Sequence, residues 1–193
     1  MRLGAGASAP AFTVETVRGD TISLESFVGR FVLLMFFRYA SCPMCNLRLH
    51  DFARNHADLR RRGLDVVAFF HSPARSIRAH AGRKEYPFHL VADPRMNVYR
   101  AWGVETSWPR FLSSMVRPGF YVDWVRAMRH GYWGGMAVQM ASMPADFLIG
   151  PDQRILRAHY GRDIGDHLPV REIESLLRPA GGSDLPQDLD ERP

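Results

Sequence analysis

The chain has 193 residues, a formal net charge of +5, and 46% hydrophobic and 23% charged residues, which is ordinary for a soluble globular protein. No apolar run approaches the roughly 18–20 residues of a membrane-spanning helix, and the basic residues are spread along the chain, which argues against nucleic-acid binding. The first ten residues lack the apolar segment of a secretory signal, so the cytoplasm is the expected compartment.

A hairpin and a buried strand are predicted for the first part of the chain. Residues 12–17 and 21–24 alternate apolar and polar side chains around Arg18-Gly19-Asp20, a pattern typical of two short antiparallel strands. Phe31–Phe37 is an unbroken apolar run of strand length, which indicates a central strand covered on both faces.

Helices and strands then alternate. Proline at the first helical turn, an apolar stripe and a terminal glycine predict a helix from about Pro43 to Arg62. Residues 64–70 and 88–92 are further buried-strand candidates, and each is followed by a polar residue and a proline that suit a helix start, Ser72-Pro73 and Asp93-Pro94. We expect short helices to about Arg83 and to about Gly103. Such alternation favours parallel strands joined by right-handed crossovers, with the ligand site outside their carboxyl ends.

Residues 105–141 interrupt this alternation. They are rich in aromatic residues and methionines, and they are broken at Pro118-Gly119 and Gly134-Gly135, so we interpret them as an insertion. A helix is predicted within it at 122–130, with Val125 and Met128 facing inward.

A hairpin, a final helix and a tail are predicted after the insertion. Residues 147–149 and 155–160 flank the turn sequence Gly150-Pro151-Asp152-Gln153, and 169–177 has a helical pattern. Residues 180–193 have little apolar content and are predicted to be a disordered tail, which leaves a single domain over 1–179.

The chain has only two cysteines, Cys42 and Cys45, at the start of the predicted long helix. Two cysteines are too few for a disulfide framework or a four-thiolate zinc site. The unpaired N–H groups at a helix start stabilise a thiolate, so Cys42 is predicted to be the attacking thiolate. Cys45, one turn deeper and less exposed, is predicted to resolve the mixed disulfide or sulfenic acid that forms.

Two other interpretations of the cysteines stay open. They can be inert side chains that pack as small apolar groups. They can also bind copper or zinc together with His50 or His71, although no spacing in the sequence directs either histidine toward them. We expect neither a metal nor a cofactor.

Several segments together resemble one family. The chain is similar to the peroxiredoxin-like branch of the AhpC/TSA (redoxin) group over about residues 8–103 and 142–178. The segments that carry the resemblance are Ala9-Pro10-Ala11-Phe12, Asp20-Thr21-Ile22-Ser23-Leu24, the run from Phe31 to Leu47 with Cys42-Pro43-Met44-Cys45, Ala92-Asp93-Pro94, Tyr99-Arg100-Ala101-Trp102-Gly103-Val104 and Met143-Pro144-Ala145-Asp146-Phe147-Leu148-Ile149. The resemblance implies an α/β thioredoxin fold, a mixed central sheet flanked by helices, with an N-terminal hairpin and a helical insertion before the strand that follows a cis-proline.

The resemblance also implies site residues. Met143 and Pro144 would form one wall of the site, with Pro144 cis and facing the redox cysteine. The family's proline and threonine before the peroxidatic cysteine are replaced here by Met35 and Tyr39. A phenolic hydrogen bond from Tyr39 and the charge of a neighbouring arginine would compensate, unless these side chains serve only in packing or ion pairing. The predicted substrate-contacting residues are Arg38, Tyr39, Pro43, Met143 and Pro144.

Three functions follow from these features. The first is a thiol-disulfide oxidoreductase that uses the Cys-X-X-Cys pair. The second is a thiol peroxidase in which Cys42 becomes a sulfenic acid and Cys45 resolves it. The third is a binding or assembly protein that uses the aromatic insertion, for example as a homodimer interface. The expected partners of the enzyme are a thiol reductant, thioredoxin or a low-molecular-weight thiol, and a disulfide or peroxide substrate.

Overall fold

A five-stranded mixed sheet forms the centre of the protein. The structure is a computed structural model, and it describes residues 2–117, 119–132, 134 and 138–177, so the predicted tail at 180–193 lies outside the described residues. In chain order the strands and helices are β1 Thr13–Glu15, β2 Thr21–Ser23, β3 Phe31–Phe37, α1 Pro43–Arg61, β4 Leu64–Phe70, α2 Ala74–Ala79, β5 His89–Ala92, α3 Asn97–Ala101, α4 Trp108–Met115, α5 Phe120–Arg129, β6 Ala145–Ile149, β7 Ile155–Tyr160 and α6 Val170–Leu176.

The strand order in the sheet is β5-β4-β3-β6-β7. Strand β3 pairs with β4, and β4 with β5, in parallel, whereas β6 is antiparallel to both β3 and β7. The predicted hairpin forms as β1 and β2, a separate antiparallel pair. The predicted mixed sheet with its leading hairpin is therefore confirmed.

Strand β3 is apolar along its whole length because both of its faces are covered. Leu33, Met35 and Phe37 belong to the core under α1 and α6, whereas Leu34 and Phe36 belong to the opposite core, which contains the hairpin and α3. Successive side chains of a strand point to opposite faces. An unbroken apolar run is therefore what a strand between two cores requires.

Two of the predicted helix starts differ in detail. Ser72 does not cap α2. Its hydroxyl instead accepts a hydrogen bond from the backbone N–H of Ala40, at 3.1 Å, and α2 begins after Pro73. The Asp93 carboxylate does bind the first N–H groups of α3, at 2.9 Å for Asn97 and 2.8 Å for Val98, but the intervening Met96 adopts a left-handed conformation and α3 starts later than predicted.

The insertion contains two helices. α4 and α5 occupy most of its described part, and α5 packs against α1. The predicted inward position of Val125 is wrong, because its side chain is 49% exposed; Ala127 is the fully buried residue of α5. A small side chain at the contact lets two helices approach closely, whereas the spacing of large apolar residues alone misidentified the packed face.

None of the helices in the described part of the chain has the length and apolarity needed to cross a bilayer. The cytoplasmic location stays a prediction.

Candidate active site

The loop that follows β3 is held by backbone and side-chain hydrogen bonds. The carbonyl of Arg38 accepts from the N–H of His71 at 2.9 Å, and the N–H of Ala40 donates to Ser72 at 3.1 Å. Both partners follow β4, the parallel neighbour of β3. The carboxyl ends of two adjacent strands therefore fix the backbone that leads into the cysteine motif.

Cys42 is the N-cap residue of α1 and Pro43 is its first helical residue, as the sequence predicted. The side-chain amide of Asn46 donates to the carbonyls of Ala40 and Cys42, at 2.8 and 2.9 Å. The N–H of Asn46 also donates to the Cys42 carbonyl at 3.1 Å, which closes the first helical turn. Asn46 thus locks the cysteine loop onto the helix, and the sequence analysis did not identify this role.

The Cys42 sulfur is stabilised as a thiolate. Burial raises the pKa of this thiol. Three effects outweigh burial and bring the pKa down to about 6: the hydrogen bond from the Cys45 thiol, the positive charge of Arg38 and the nearby backbone N–H groups of Cys45 and Met44. Reactive thiols at helix starts have pKa values in this range. Cys42 is therefore mostly ionised at neutral pH.

Cys45 has the opposite character. Burial, together with its contact to the charged Cys42, raises its pKa well above that of a free thiol. The pair consists of two free thiols, one with a lowered and one with a raised pKa. The roles of Cys42 as attacking thiolate and of Cys45 as resolving thiol stay predictions. The expectation that Cys45 is the less exposed of the two is wrong, because Cys42 is 1% and Cys45 2% exposed.

Arg38 is the cation of the site. Its Nη1 lies 3.5 Å from the Cys42 sulfur, while Nε, at 3.1 Å, and Nη2 both donate to the carbonyl of Met140. The guanidinium also lies over the rings of Tyr39 and Phe111, 5.2 Å from each centroid. A buried arginine held in this way presents a fixed positive charge to the sulfur.

Tyr39 is buried next to the same guanidinium. Burial and the neighbouring Cys42 charge raise its pKa, so its hydroxyl stays protonated at neutral pH. A protonated phenol is a hydrogen-bond donor. The structure thus places the Tyr39 ring against the Arg38 guanidinium, and the catalytic role of Tyr39 stays a prediction.

Gly134 covers the cysteine motif from the side of the insertion. A Cβ atom built on Gly134 would lie 1.8 Å from the carbonyl oxygen of Ser41 and 3.0 Å from Cδ of Pro43. Only glycine permits so close an approach. Together with the Arg38 hydrogen bonds to Met140, this contact makes the insertion a cover of the loop that carries Cys42.

Pro144 differs from the expectation. The described part of the chain contains no cis peptide bond, so the bond between Met143 and Pro144 is trans and the predicted cis-proline is wrong. The two isomers of an X–Pro bond differ by only about 0.5–1 kcal/mol, so tertiary contacts decide between them. Here the Met143 N–H donates to the backbone carbonyl of Glu105 at 3.1 Å, and the Pro144 carbonyl accepts from the backbone N–H of Gly161 at 2.9 Å.

Met143 packs with Phe111 and Ile164 in a small apolar cluster. Phe111 is the ring that carries the Arg38 guanidinium, so Met143 supports the site through this ring. Direct substrate contacts of Pro43, Met143 and Pro144 stay predictions.

The metal alternative finds no ligand set in the described residues, where no three His, Cys, Asp or Glu side chains are close enough to hold an ion. His71 instead shares a hydrogen bond with Ser142 at 2.8 Å, and His50 lies against the ring of His130, with centroids 4.8 Å apart.

A buried charge cluster lies on the same face of the sheet and was not predicted. Asp146, on β6, is 3.0 Å from Nδ1 of His167 and accepts from the N–H of Leu168 at 2.7 Å. Burial raises the pKa of Asp146, but the effects of His167 and Arg48 are larger and hold the pKa below its usual value. The sequence shows only a single aspartate within an apolar strand, and the residues that contact it lie too far along the chain for a local pattern to reveal them.

Comparison with known proteins gives a consistent result. Residues 5–158 match the AhpC/TSA family. The chain is 31% identical over 125 residues to a Mycobacterium tuberculosis protein assigned as a peroxiredoxin, a match that covers 63% of this chain and 80% of that one. It is 29% identical over 103 residues to the chloroplastic peroxiredoxin Q of Triticum aestivum, covering 53% of this chain but only 48% of the wheat protein.

Solved structures share the fold at low sequence identity. A cysteine-to-serine mutant of peroxiredoxin Q from Xylella fastidiosa superimposes with a TM-score of 0.65 at 14% identity, covering 91% of this chain and 94% of that one. A thiol:disulfide interchange protein of the DsbE type from Chlorobium tepidum gives 0.62 at 18% identity, covering 91% and 99%. These similarities establish the thioredoxin fold that was expected.

Proposed function

Because the chain belongs to the AhpC/TSA family of thiol-dependent oxidoreductases, we propose that it is a thiol peroxidase in which Cys42 attacks a hydroperoxide and Cys45 resolves the product. The observation that carries the proposal is the buried sulfur of Cys42 with the Arg38 guanidinium 3.5 Å away. A sulfur with 1% exposure favours a substrate as small as a hydroperoxide over a protein disulfide.

The proposed reaction has three balanced steps. The Cys42 thiolate attacks the terminal peroxide oxygen, the O–O bond breaks, and the leaving alkoxide or hydroxide takes a proton, which gives the Cys42 sulfenic acid and an alcohol or water. The Cys45 thiol then displaces hydroxide from that sulfur, which forms the disulfide and releases water. Two reductant thiols restore the dithiol and leave as their own disulfide.

Arg38 has the geometry for the first step. Nε and Nη2 are engaged by the Met140 carbonyl, which fixes the plane of the guanidinium and leaves Nη1 directed at the sulfur. Nη1 carries two hydrogens. One hydrogen can stabilise the thiolate while the other donates to the peroxide oxygen that develops charge. In the family pattern a threonine hydroxyl orients the peroxide, and Tyr39 stands at that position here.

Thiol-disulfide exchange is the second candidate function, and the Cys-X-X-Cys pair at the start of α1 favours it. An ionised first cysteine and a protonated second one also suit this chemistry. For this function the cover formed by Gly134 and the Met140 carbonyl must move, because a disulfide substrate has to reach a sulfur that is sealed by the insertion.

Binding through the insertion is the third candidate. Its helices expose large apolar side chains, a surface that is enriched at protein interfaces. The most exposed are Trp108 (54%), Leu112 (60%), Val116 (83%), Tyr121 (69%) and Val122 (70%). Sedimentation of the intact chain tests whether it forms a homodimer through this face.

The reaction of reduced protein with hydrogen peroxide tests the peroxidase. We expect wild type to consume peroxide much faster than a free low-molecular-weight thiol and to form the intramolecular disulfide, seen by mass spectrometry as the loss of two hydrogens. Cys45→Ser should stop at a sulfenic acid that dimedone traps, and Cys42→Ser should not react.

A rate no better than that of the free thiol would reject the peroxidase. Reduction of a small disulfide by wild type, at a rate that Cys42→Ser abolishes, would then support exchange. If self-association or partner binding persists after both cysteines are replaced by serine, the function would be assigned to the insertion.

A further inference from the structure

A cavity of about 220 Å³ lies directly beside the cysteine loop. Ser41, the residue before Cys42, and Asn46, whose amide holds the Cys42 carbonyl, form its wall on the side of the loop. Adjacent Cα atoms are about 3.8 Å apart. A molecule that occupies this cavity therefore contacts the residue that precedes Cys42 in the chain.

The charged side chains that line this cavity are both cationic. They are Arg83 and Lys84, with the imidazoles of His80 and His130 beside them, and no aspartate or glutamate lines the cavity. In the described part of the chain, neither Arg83 nor Lys84 has a carboxylate within 4.0 Å. Lys84 is the only lysine of the whole chain. These charges are thus available to a ligand.

Two tyrosines add hydrogen-bonding groups to the same wall. The Tyr132 hydroxyl accepts from the Lys84 ammonium at 2.8 Å, which fixes the cation at the cavity. Tyr86 is 4% exposed, and its buried hydroxyl lies near the Tyr132 hydroxyl but meets the full geometry of a hydrogen bond with none of the described residues. An orphaned buried hydroxyl costs free energy unless a ligand or a water binds it. Its presence beside unpaired cations is a second sign of a ligand site.

We propose that this cavity binds the carboxylate of a small-molecule reactant of Cys42. The inference rests on the proposed function only in that Cys42 is the reacting atom. A carboxylate would pair with Lys84 and accept a hydrogen bond from Tyr86, while its chain reaches past Ser41 to the sulfur. The reactant is a carboxylate-bearing thiol that reduces the enzyme, or a carboxylate-bearing hydroperoxide that oxidises it.

A neighbouring cavity does not serve this purpose. Its volume is about 380 Å³, and it lies at the amino ends of β4 and β5, marked by Asp65 and His89. The two cavities share Lys84 and Tyr86 in their walls, but this one extends away from the cysteine loop, which follows the carboxyl end of the parallel strand β3. It also contains the carboxylates of Asp20, Asp65 and Glu85, which disfavour an anion.

Alkylation of Cys42 provides a test that does not depend on turnover. Iodoacetate and iodoacetamide have nearly the same size, but only the first carries a carboxylate, so the ratio of their rates is insensitive to how often the cover opens. We expect Lys84→Gln to lower the iodoacetate-to-iodoacetamide ratio by about threefold, the effect of one exposed charge pair. Arg62→Gln, which removes an exposed charge at the far end of α1, is the matched control and should leave the ratio unchanged.

Matched reactants then identify the source of the carboxylate. The reducing arm compares mercaptopropionate with mercaptopropanol as reductants of the oxidised protein. The oxidising arm compares linoleic acid hydroperoxide with its methyl ester as substrates of the reduced protein. The arm in which Lys84→Gln selectively slows the carboxylate-bearing member names the reactant.

An unchanged alkylation ratio in Lys84→Gln, or an equal decrease in Arg62→Gln, would overturn the proposal. This outcome is distinct from failure of the proposed function. If hydrogen peroxide still oxidises Cys42 rapidly, the peroxidase stands without the carboxylate site. If no peroxide reacts, the alkylation ratio still reports on the cavity.

Discussion

The guanidinium of Arg38 joins the reactive sulfur of Cys42 to the insertion. One of its nitrogens lies 3.5 Å from that sulfur, and the other two hold the carbonyl of Met140, a residue 102 positions further along the chain. The charge that helps to ionise the cysteine is therefore oriented by the segment that covers it. The hydrogen bonds between Arg38 and Met140 therefore link the ionisation of Cys42 to the position of the insertion.

Removal of the Arg38 charge should weaken the thiolate. The pKa of Cys42 is about 6, so the rate of its alkylation by iodoacetamide should rise with pH through about 6 and level off above it. A cation within about 4–6 Å lowers the pKa of an acid by roughly 1–3 units. We expect the midpoint to move upward by about one unit or more in Arg38→Met. Arg38→Lys, which keeps the charge, should move it less, and equal midpoints in all three proteins would contradict the assignment.

Two substitutions of Cys45 separate its roles as donor and as resolving thiol. Both Cys45→Ser and Cys45→Ala should prevent the intramolecular disulfide. Serine retains a hydrogen-bond donor toward Cys42, whereas alanine has none. A hydrogen bond to a charged acceptor contributes roughly 1.5–3 kcal/mol, and one pKa unit corresponds to about 1.4 kcal/mol. The pKa of Cys42, measured from thiolate absorbance, should therefore be about one unit higher in Cys45→Ala than in Cys45→Ser. The reverse order would show that Cys45 is not the donor.

A methyl group at Gly134 should disturb the cover. Its Cβ would lie 1.8 Å from the Ser41 carbonyl oxygen, so the segment has to move away. Above pH 8 Cys42 is fully ionised, and its alkylation rate then reports access alone. We expect faster alkylation in Gly134→Ala than in wild type, with a loss of about 1–3 kcal/mol of stability from overpacking.

Gly4→Ala is the matched control for this experiment, because a Cβ at Gly4 meets nothing within 4 Å. An alkylation rate in Gly134→Ala that equals the rates of Gly4→Ala and wild type would mean that the segment over Ser41 does not limit access to the sulfur.

The buried pair of Asp146 and His167 should contribute strongly to stability. In Asp146→Asn the buried His167 loses its carboxylate partner, and the guanidinium of Arg48 loses the larger of its two favourable carboxylate interactions and keeps only that with Asp51. Breaking a buried ion pair on one side costs about 3–5 kcal/mol. Chemical denaturation should show a loss of this size, whereas Asp58→Asn, which breaks an exposed pair with Arg61, should change stability by less than about 1 kcal/mol.

The same carboxylate predicts an acid dependence. The pKa of Asp146 is lower in the folded protein than its usual value. Its contribution to stability is therefore complete above the pKa of an unfolded aspartate, about 3.9, and is lost as the pH falls through the lower folded value. The difference in unfolding free energy between wild type and Asp146→Asn should shrink as the pH decreases below about 4. A constant difference down to pH 2 would contradict this account.

The sequence by itself determined the strands, the long helix and the reactive pair. Phe31–Phe37 is apolar at every position and Pro43 follows Cys42 directly, so the buried strand and the helix start are local patterns that neighbouring residues specify. The separation of Cys42 and Cys45 by two residues places them one turn apart on any helix. These features depend on backbone geometry and on burial, which the order of residues expresses directly.

Only the tertiary structure decided what surrounds the sulfur. The contact of Gly134 with Ser41 and the hydrogen bonds from Arg38 to Met140 join segments that lie far apart in the sequence, as do the backbone hydrogen bonds of Met143 and Pro144 to Glu105 and Gly161. Their free energies come from packing and desolvation at particular distances, and residue spacing does not encode these. The sequence therefore predicts which atom reacts, and the fold decides how that atom is charged and covered.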